Sequence, residues 1–365
     1  MIRWRKGTVE RIRREWPGAV ELAVSIAGGD PAEGGCRALA YPELVGRPEP
    51  GDTVLLNTTA LAMGLGTGGY AMVVAVPDRL PPDPAGPGHL VKARYTPLQA
   101  TVLGADEQDS PHHAVLADAD SLDGMPVVVA DLHSALPPIL AGLLAARPDT
   151  RVVYVLPDGG ALPAWFSMSI AQLKAAGALA ATVTVGQAFG GDLEAVTVHT
   201  GLLAARLVLD AEVVIVAQGP GNLGTGTRWG FSGVAAGEAV NAAAVLSGRP
   251  VGSLRVSEGD LRARHQGVSH HSLTAYGRVA LARAQIVVPE LPGTFGARVR
   301  EQAATLAGRH DLVRLPVDGL EDVLRSAAAE WGVRMSTMGR GLDKDLAYFL
   351  TAAAAGRHTA GLLPT

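Results

Sequence analysis

Two patterns of hydrophobic and polar positions divide the chain. Up to about residue 80, short runs of β-forming residues alternate with turns such as Trp16-Pro17-Gly18, which is typical of a small barrel or sandwich. From residue 89 onward, short and fully apolar runs such as 152–156 and 213–217 alternate with amphipathic segments. Apolar strands alternating with helices indicate a parallel sheet covered on both faces. The pattern predicts an α/β protein, with a small N-terminal β-barrel followed by a doubly wound, mainly parallel α/β domain.

A proline-rich segment separates the two patterns. Four prolines fall within residues 81–88, and such a segment is a stiff connector between domains. We therefore predict a small β-barrel domain at residues 1–80, a linker at 81–88 and a ligand-binding α/β domain at 89–365.

The composition limits the class of protein. The chain has 365 residues, of which 48% are hydrophobic, and a formal net charge of −4, so there is no general electrostatic reason to bind nucleic acid or an anionic membrane. Cys36 is the only cysteine, which excludes an intrachain disulfide and a thiolate metal cage. No apolar stretch predicts a secretory signal or a membrane span, so we expect a cytoplasmic protein. Homo-oligomerisation is compatible with this composition.

Basic residues cluster in the first predicted strand. Small barrels often bind nucleic acid, but Glu10 and Glu15 interrupt the cluster, and few aromatic residues accompany it. Charges on an edge strand also prevent edge-to-edge pairing. Nucleic-acid binding through the barrel is therefore the weakest of the hypotheses below. The basic residues are Arg3, Arg5, Lys6, Arg11, Arg13 and Arg14.

Polar and glycine-rich segments follow successive strands of the predicted α/β domain, whereas the opposite strand ends are ordinary turns such as Arg147-Pro148-Asp149. Doubly wound sheets bind ligands beyond the carboxyl ends of their strands. This asymmetry predicts a ligand site at that edge. The ligand-binding candidates there are Asp158, Gly159, Gly160, Asp192, Gly219, Gly221, Asn222, Gly224, Thr225, Gly226, Thr227, Arg228, Ser232, Arg262, Arg264 and His270.

The longest of these segments, residues 218–233, is called the glycine loop below. It lies between an apolar strand and a helix, an order that turns backbone N–H groups toward an anion. Its hydroxyls are further donors, and Arg228, Arg262 and Arg264 can bind phosphate or carboxylate. Alternatively, the glycines only let the chain turn over the sheet. The loop lacks the Gly-Lys-Ser/Thr of a Walker loop, and its glycines are not in the phase of the dinucleotide fingerprint.

The candidates for catalysis are Asp131, His133, His265 and His271. Histidine is the residue type whose unperturbed pKa lies near neutrality, which suits acid/base catalysis. Asp131, His133 and His271 are also candidate ligands of a divalent metal such as Zn²⁺, Mn²⁺ or Mg²⁺, and three ligands with an open position would form a hydrolytic centre. Against this, the chain has no His-x-x-x-His helix spacing, and these side chains can instead cap helices. The cofactor is left open.

Three segments together resemble a bacterial family of uncharacterised proteins, known only as a domain of unknown function. They are the glycine loop from Gly219 to Gly233, the run Arg264-His265-x-Gly267-x-Ser269-His270-His271, and Leu-Pro-Asp-Gly-Gly-Ala-Leu-Pro at 156–163. The family is common in actinobacteria, which fits the Ala-rich, Arg-over-Lys composition. The resemblance implies no established activity, so no catalytic residue is transferred from it.

Three functional hypotheses follow. In the first, the α/β domain binds a small anionic, phosphate-bearing ligand at the carboxyl edge of the sheet and acts as a hydrolase or transferase. The second is a non-catalytic ligand sensor or scaffold, and the third is nucleic-acid binding through the barrel. An enzyme requires a titratable group or a metal within reach of the bound ligand, which a sensor does not.

Overall fold

The structure is a computed structural model that describes residues 1–26, 35–66 and 68–364. The chain forms two compact units, one of Met1–Pro87 with Val91–Val102 and the other of Gly88–Leu90 with Leu103–Thr365. The domain boundaries near residues 80 and 89 stay a prediction. Within the described ranges, no helix is long and apolar enough to cross a membrane.

The first unit contains a closed five-stranded barrel, as predicted. Its strands and short helices are β1 (Trp4–Trp16), β2 (Ala19–Ile26), β3 (Cys36–Ala40), α1 (Pro42–Val45), β4 (Thr53–Asn57), α2 (Thr59–Ala62) and β5 (Ala71–Ala75). Around the barrel the order is β1–β2–β3–β5–β4, and β1 closes it by pairing with both β2 and β4. Leu22, Val54 and Leu56 are among its buried core residues. Two short strands, β6 (Leu90–Lys92) and β7 (Ala100–Val102), pair with each other.

The second unit is built on an eight-stranded parallel sheet, which confirms the doubly wound α/β prediction. The further strands of the chain are β8 (Pro126–Val129), β9 (Val152–Leu156), β10 (Ala181–Thr184), β11 (Leu193–Glu194), β12 (Val213–Val216), β13 (Arg249–Ser253), β14 (Val256–Ser257), β15 (Gly267–Val268), β16 (Gln285–Glu290), β17 (Asp311–Pro316), β18 (Ser336–Thr337) and β19 (Arg340–Gly341). The order across the sheet is β11–β10–β9–β12–β8–β13–β16–β17. Strands β8, β9 and β12 are buried along their whole length, which explains their continuous apolar sequences.

Helices cover both faces of this sheet. They are α3 (His113–Leu116), α4 (Leu136–Leu144), α5 (Met168–Ala175), α6 (Val198–Leu207), α7 (Ala235–Val245), α8 (His270–Thr274), α9 (Gly293–Ala304), α10 (Leu320–Glu330) and α11 (Leu346–Ala360). One group of packed helices contains α4, α10 and α11, and another contains α6, α7 and the π-helical turn Ala275–Val279 that continues α8. Helices α4 and α11 approach closely because Gly142 faces the backbone of Ala353, where an added Cβ would lie 1.9 Å from the carbonyl oxygen.

The direction of the chain across the sheet reverses between two neighbouring strands. From β8 the chain moves toward β9 on one side, and from β12 it moves toward β13 on the other, although β8 and β12 pair with each other. Because such crossovers are right-handed, α4 and α7 lie on opposite faces of the sheet. The segments after β8 and β12 therefore diverge and leave a crevice, which is the position where doubly wound sheets bind ligands.

Candidate functional site

The glycine loop leaves β12 at this crevice and is fixed there by contacts with neighbouring strand ends. Gln218 Nε2 donates to the carbonyl oxygen of Asp131 at 2.7 Å, which joins the segments after β12 and β8. An added Cβ on Gly160 would lie 2.2 Å from the carbonyl oxygen of Gly219. Likewise, a Cβ on Gly159 would lie 2.4 Å from Gln218 Oε1. The two glycines after β9 thus permit close packing against the glycine loop.

The tip of the glycine loop is held by its own hydroxyl groups. Thr225 N donates to the carbonyl oxygen of Gly230 at 2.7 Å, and Gly230 N donates to Thr227 Oγ1 at 3.1 Å. The two threonine hydroxyl oxygens are 3.1 Å apart. Gly224 and Phe231 form a bridge at the base of this turn. The hydroxyls predicted as anion donors therefore stabilise the turn itself.

The base of the glycine loop contacts the histidine-rich segment that precedes and opens α8. Ser232 Oγ donates to Asn222 Oδ1 at 2.9 Å, and the side chain of Asn222 places Nδ2 3.3 Å from His271 Nδ1. The ring of Phe231 stacks on that of His271, with centroids 3.8 Å apart and planes 2° from parallel. The glycine loop thereby fixes the ring plane of His271. Gly221, with φ +90°, adopts the left-handed conformation that favours glycine just before Asn222.

Three histidines lie together where β15 leads into α8. Ser269 caps α8, because its Oγ accepts from His271 N at 3.2 Å. The same oxygen lies 2.7 Å from His265 Nδ1. The ring centroids of His265, His270 and His271 are 4.4–5.0 Å apart. The cap of α8 is therefore Ser269, whereas the histidines of this segment cluster beside it.

Burial sets the protonation of two of these histidines. It lowers the pKa of His265 to about 3, with a further contribution from the Arg255 guanidinium. Burial and the neighbouring His271 lower the pKa of His270 to about 4. Both imidazoles are therefore neutral at pH 7, which is the form that binds a metal. His270 Nε2 is buried without a hydrogen-bond partner among the described residues.

A buried acid–base arrangement adjoins the histidines. Asp131 Oδ2 lies 3.6 Å from His271 Nδ1 and 4.0 Å from Arg255 Nη1, and it has no hydrogen bond to a described residue. Arg255 Nη1 is 3.3 Å from His271 Nδ1. A carboxylate beside an imidazole can orient it for proton transfer or for metal binding. Sequence analysis missed Arg255; the signal was a charged residue inside the predicted strand 253–256.

Two of the other predicted binding residues are engaged in ion pairs. Arg262 binds Asp260 through Nε and Nη2 at 2.9 and 2.7 Å, and this guanidinium holds the pKa of Asp260 well below its usual range. Asp192 Oδ2 accepts from Thr182 N and Oγ1 at 2.8 and 2.9 Å, and Asp192 also pairs with Lys174. These contacts give Arg262 and Asp192 partners within the structure itself. Asp158, which is exposed, accepts from the backbone N–H of Gln187 at 3.2 Å.

The environment of His133 differs from that of the clustered histidines. Tyr154 donates its hydroxyl hydrogen to the carbonyl oxygen of Ala217 at 2.7 Å, so His133 Nδ1 donates to the Tyr154 oxygen at 3.0 Å. His133 Nε2 then accepts from Ser167 Oγ at 2.7 Å. Burial lowers the pKa of His133 to about 4. Both ring nitrogens are thus occupied, whereas the other two candidates for the metal, Asp131 and His271, lie side by side.

The last part of the glycine loop lines a cavity of about 600 Å³, called the arginine cavity below. Its lining contains three exposed arginines, and none of the lining residues is acidic. None of the three guanidinium groups forms an ion pair with a described residue. Its lining residues are Gly226, Arg228, Arg264, His270, Leu273, Thr274, Gly277, Arg278, Thr305 and Leu306. Sequence analysis missed Arg278, although it lies four residues after Thr274 on the segment predicted to be helical.

The first part of the glycine loop lines a smaller cavity of about 250 Å³, called the switch-point cavity below. It lies at the crevice between the segments that follow β8 and β12. Its lining residues are Leu132, His133, Ser134, Pro137, Ser169, Gly219, Pro220, Gly221, Asn222, Arg334, Ser336 and Met338.

These features define a class: a β-barrel protein with a doubly wound α/β unit that has polar cavities on either side of the loop after β12. The family model described as "Protein of unknown function (DUF3866)" matches residues 37–356, and the chain belongs to that family. This confirms the resemblance to a family of unknown function; the actinobacterial distribution stays a prediction. No curated protein and no solved structure matches the chain.

Proposed function

We propose that the α/β unit binds a small anionic, phosphate-bearing ligand in the arginine cavity. The observation that supports this most directly is the set of three guanidinium groups, from Arg228, Arg264 and Arg278, around one cavity without an acidic partner. Unpaired arginines around a concave site favour phosphate, because each guanidinium can donate two parallel hydrogen bonds to it.

The size and position of the cavity agree with such a ligand. Its volume of about 600 Å³ falls within the range of roughly 300–1,000 Å³ that is common for small-molecule sites. Gly226 and Arg228 of the glycine loop line it together with Arg264 and His270. Four residues predicted to bind a ligand therefore share one cavity, although they come from the segments after two different strands.

A neutral imidazole at the wall of the cavity favours an enzyme, of hydrolase or transferase type, over a sensor or scaffold. His270 lines the cavity, and its ring lies beside those of His265 and His271. A titratable side chain within reach of the bound ligand is what an enzyme needs and a sensor does not.

The binding step is tested by isothermal titration calorimetry with pyrophosphate, in a buffer without phosphate. We expect the wild-type chain to bind it and the double variant Arg264→Ala/Arg278→Ala to lose at least about a hundredfold in affinity, since a hydrogen bond to a charged group contributes about 1.5–3 kcal/mol. The affinity of the wild type should fall as salt is added.

The matched control is Arg325→Ala, which removes the same charge from an exposed position on α10, on the opposite face of the sheet from the cavity. Its affinity should equal that of the wild type. Binding that is absent in the wild type, or unchanged in the double variant, would refute the proposal.

A further inference from the structure

Of the three clustered histidines, only His270 lines the arginine cavity, so the cluster itself has no role in the proposed anion site. One ring nitrogen from each of His265, His270 and His271 lies within 4.8 Å of the other two. His270 Nε2 is buried with no hydrogen-bond partner among the described residues. Buried polar atoms in proteins usually have a partner, so an unpaired nitrogen beside two further imidazoles indicates a bound group.

The other ring nitrogens have partners of the kind that surround metal sites. His265 Nδ1 is 2.7 Å from Ser269 Oγ, and His271 Nδ1 is 3.6 Å from Asp131 Oδ2. A metal-bound histidine usually donates its second ring N–H to a hydroxyl, carbonyl or carboxylate, which fixes the ring and its tautomer. Arg255 Nη1 and Asn222 Nδ2, which can only donate, lie 3.3 Å from His271 Nδ1, so His271 binds a metal through Nε2 only when these donors turn away and Nδ1–H faces Asp131 instead. The Nε2 atoms of His265, His270 and His271 are then available to a shared ligand.

The nearest positive charge is balanced by carboxylates. Arg255 Nη1 lies 3.3 Å from His271 Nδ1. The same guanidinium is 4.0 Å from Asp131 Oδ2 through Nη1 and 3.7 Å from Asp260 Oδ2 through Nη2. Because Asp260 also pairs with Arg262 and Arg340, Asp131 is the carboxylate that chiefly offsets the charge of Arg255 beside the cluster.

We propose that His265, His270 and His271 bind one divalent transition-metal ion of the Zn²⁺ class through their Nε2 atoms. Imidazole nitrogen suits Zn²⁺, and three protein ligands leave one coordination position open. Zn–N bonds of about 2.0–2.1 Å require ligand nitrogens roughly 3.3 Å apart, so ring nitrogens that lie within 4.8 Å of one another must approach by up to about 1.5 Å. The partly buried His270 is the ring with room to move. Because His270 also lines the arginine cavity, the open position would lie at its wall.

This set differs from the one predicted from sequence. Asp131 orients His271 here instead of binding the metal. His133 has no free ring nitrogen, because Tyr154 and Ser167 form hydrogen bonds with both of them. His265 and His270 take the remaining two positions.

The proposal is tested on the full chain after treatment with a chelator, using Co²⁺ and Zn²⁺ alone, without phosphate. We expect one equivalent of Co²⁺ to produce a visible absorption band and one equivalent of Zn²⁺ to displace it. His270→Ala should weaken binding more than about a hundredfold, which exceeds the 10–100-fold typical for loss of an outer partner. Circular dichroism checks that the variant folds, and His270→Gln, which keeps a polar side chain of similar size, serves as a second variant.

Two other histidines provide controls. His199→Ala removes an exposed histidine outside the cluster, and His133→Ala removes the other predicted ligand. Both should bind Co²⁺ like the wild type. Less than one equivalent of bound Co²⁺ in the wild type, unchanged binding in both His270 variants, or an equal loss in His199→Ala would overturn the proposal. Because no phosphate is present, this outcome is separate from that of the pyrophosphate titration.

Discussion

The two ends of the glycine loop line cavities with opposite properties. At the switch-point cavity, His133 has a hydrogen-bond partner on each ring nitrogen, and those partners are anchored in turn by a backbone carbonyl and a helix cap. Toward the arginine cavity, Asp131 Oδ2, Arg255 Nη2 and His270 Nε2 are buried without hydrogen bonds to described residues. The hydrogen bonds of His133 are complete, whereas the second region contains several buried polar atoms without a partner among the described residues. At the start of the glycine loop, Gln218 Oε1 is one further such atom.

The difference shows that a lowered pKa does not by itself identify a functional histidine. Burial lowers the pKa of both His133 and His270 to about 4. Only His270 has a buried nitrogen without a partner and a position on a cavity lined by arginines. Unpaired polar atoms, more than protonation, therefore distinguish the region that we propose to bind ligands.

The largest effect on stability is expected from Arg255. In Arg255→Met, the buried Asp131 carboxylate loses its guanidinium partner, and removing one member of a buried ion pair costs about 3–5 kcal/mol. Urea unfolding measures the loss. Arg325→Met, which removes exposed ion pairs, should cost less than about 1 kcal/mol. Equal stability of the two variants would contradict the structural role assigned to Arg255.

The second largest effect on stability is the difference between variants of His133 and His270. His133→Ala should lower the free energy of unfolding by about 2–3 kcal/mol, because it removes two hydrogen bonds and leaves Ser167 without its acceptor. His270→Ala should cost less than about 1 kcal/mol in chelator-treated protein, because its Nε2 has no bond to lose. The ranking fails if His270→Ala is the less stable of the two by urea unfolding.

The last prediction concerns how steeply stability changes with pH. The pKa of His133 is lowered to about 4 in the folded chain from the usual 6.5, so between these values the unfolded state binds the extra proton. The stability that neutral His133 provides is complete above pH 6.5 and is lost as the pH falls toward 4, at up to about 1.4 kcal/mol per pH unit. Unfolding free energies measured from pH 7 to 4 should therefore fall less steeply for His133→Ala than for the wild type. Parallel curves would exclude this role of His133.

Much of the architecture could be predicted because it depends on local patterns. Apolar runs such as 152–156 and 213–217 predicted buried parallel strands, and the polar segments after them lie at the expected edge. The predicted helix 193–207 begins only at Val198, because Leu193 and Glu194 pair with β10 as an edge strand. The predicted helix 273–284 ends at Val279 after a π-helical turn. Both departures come from tertiary contacts, which a local sequence pattern does not reveal.

The position of the candidate site could be predicted from the sequence, but the residues that form it could be predicted only in part. Residues such as Arg264 and His270 stand out by type, after strands that meet at one edge. Whether a histidine is free depends on partners distant in sequence: His133 binds Ser167, 34 residues away, whereas Asp131 approaches His271 across the sheet. Residue type could not reveal that Arg262 is paired with Asp260 while Arg264 is not.

The most direct test of the central claim is a crystal structure of the full chain grown with pyrophosphate. We predict density for pyrophosphate in the arginine cavity, within hydrogen-bond distance of the guanidinium groups of Arg228, Arg264 and Arg278. Density in the switch-point cavity instead, beside His133 and Arg334, with the arginine cavity empty, would contradict the account.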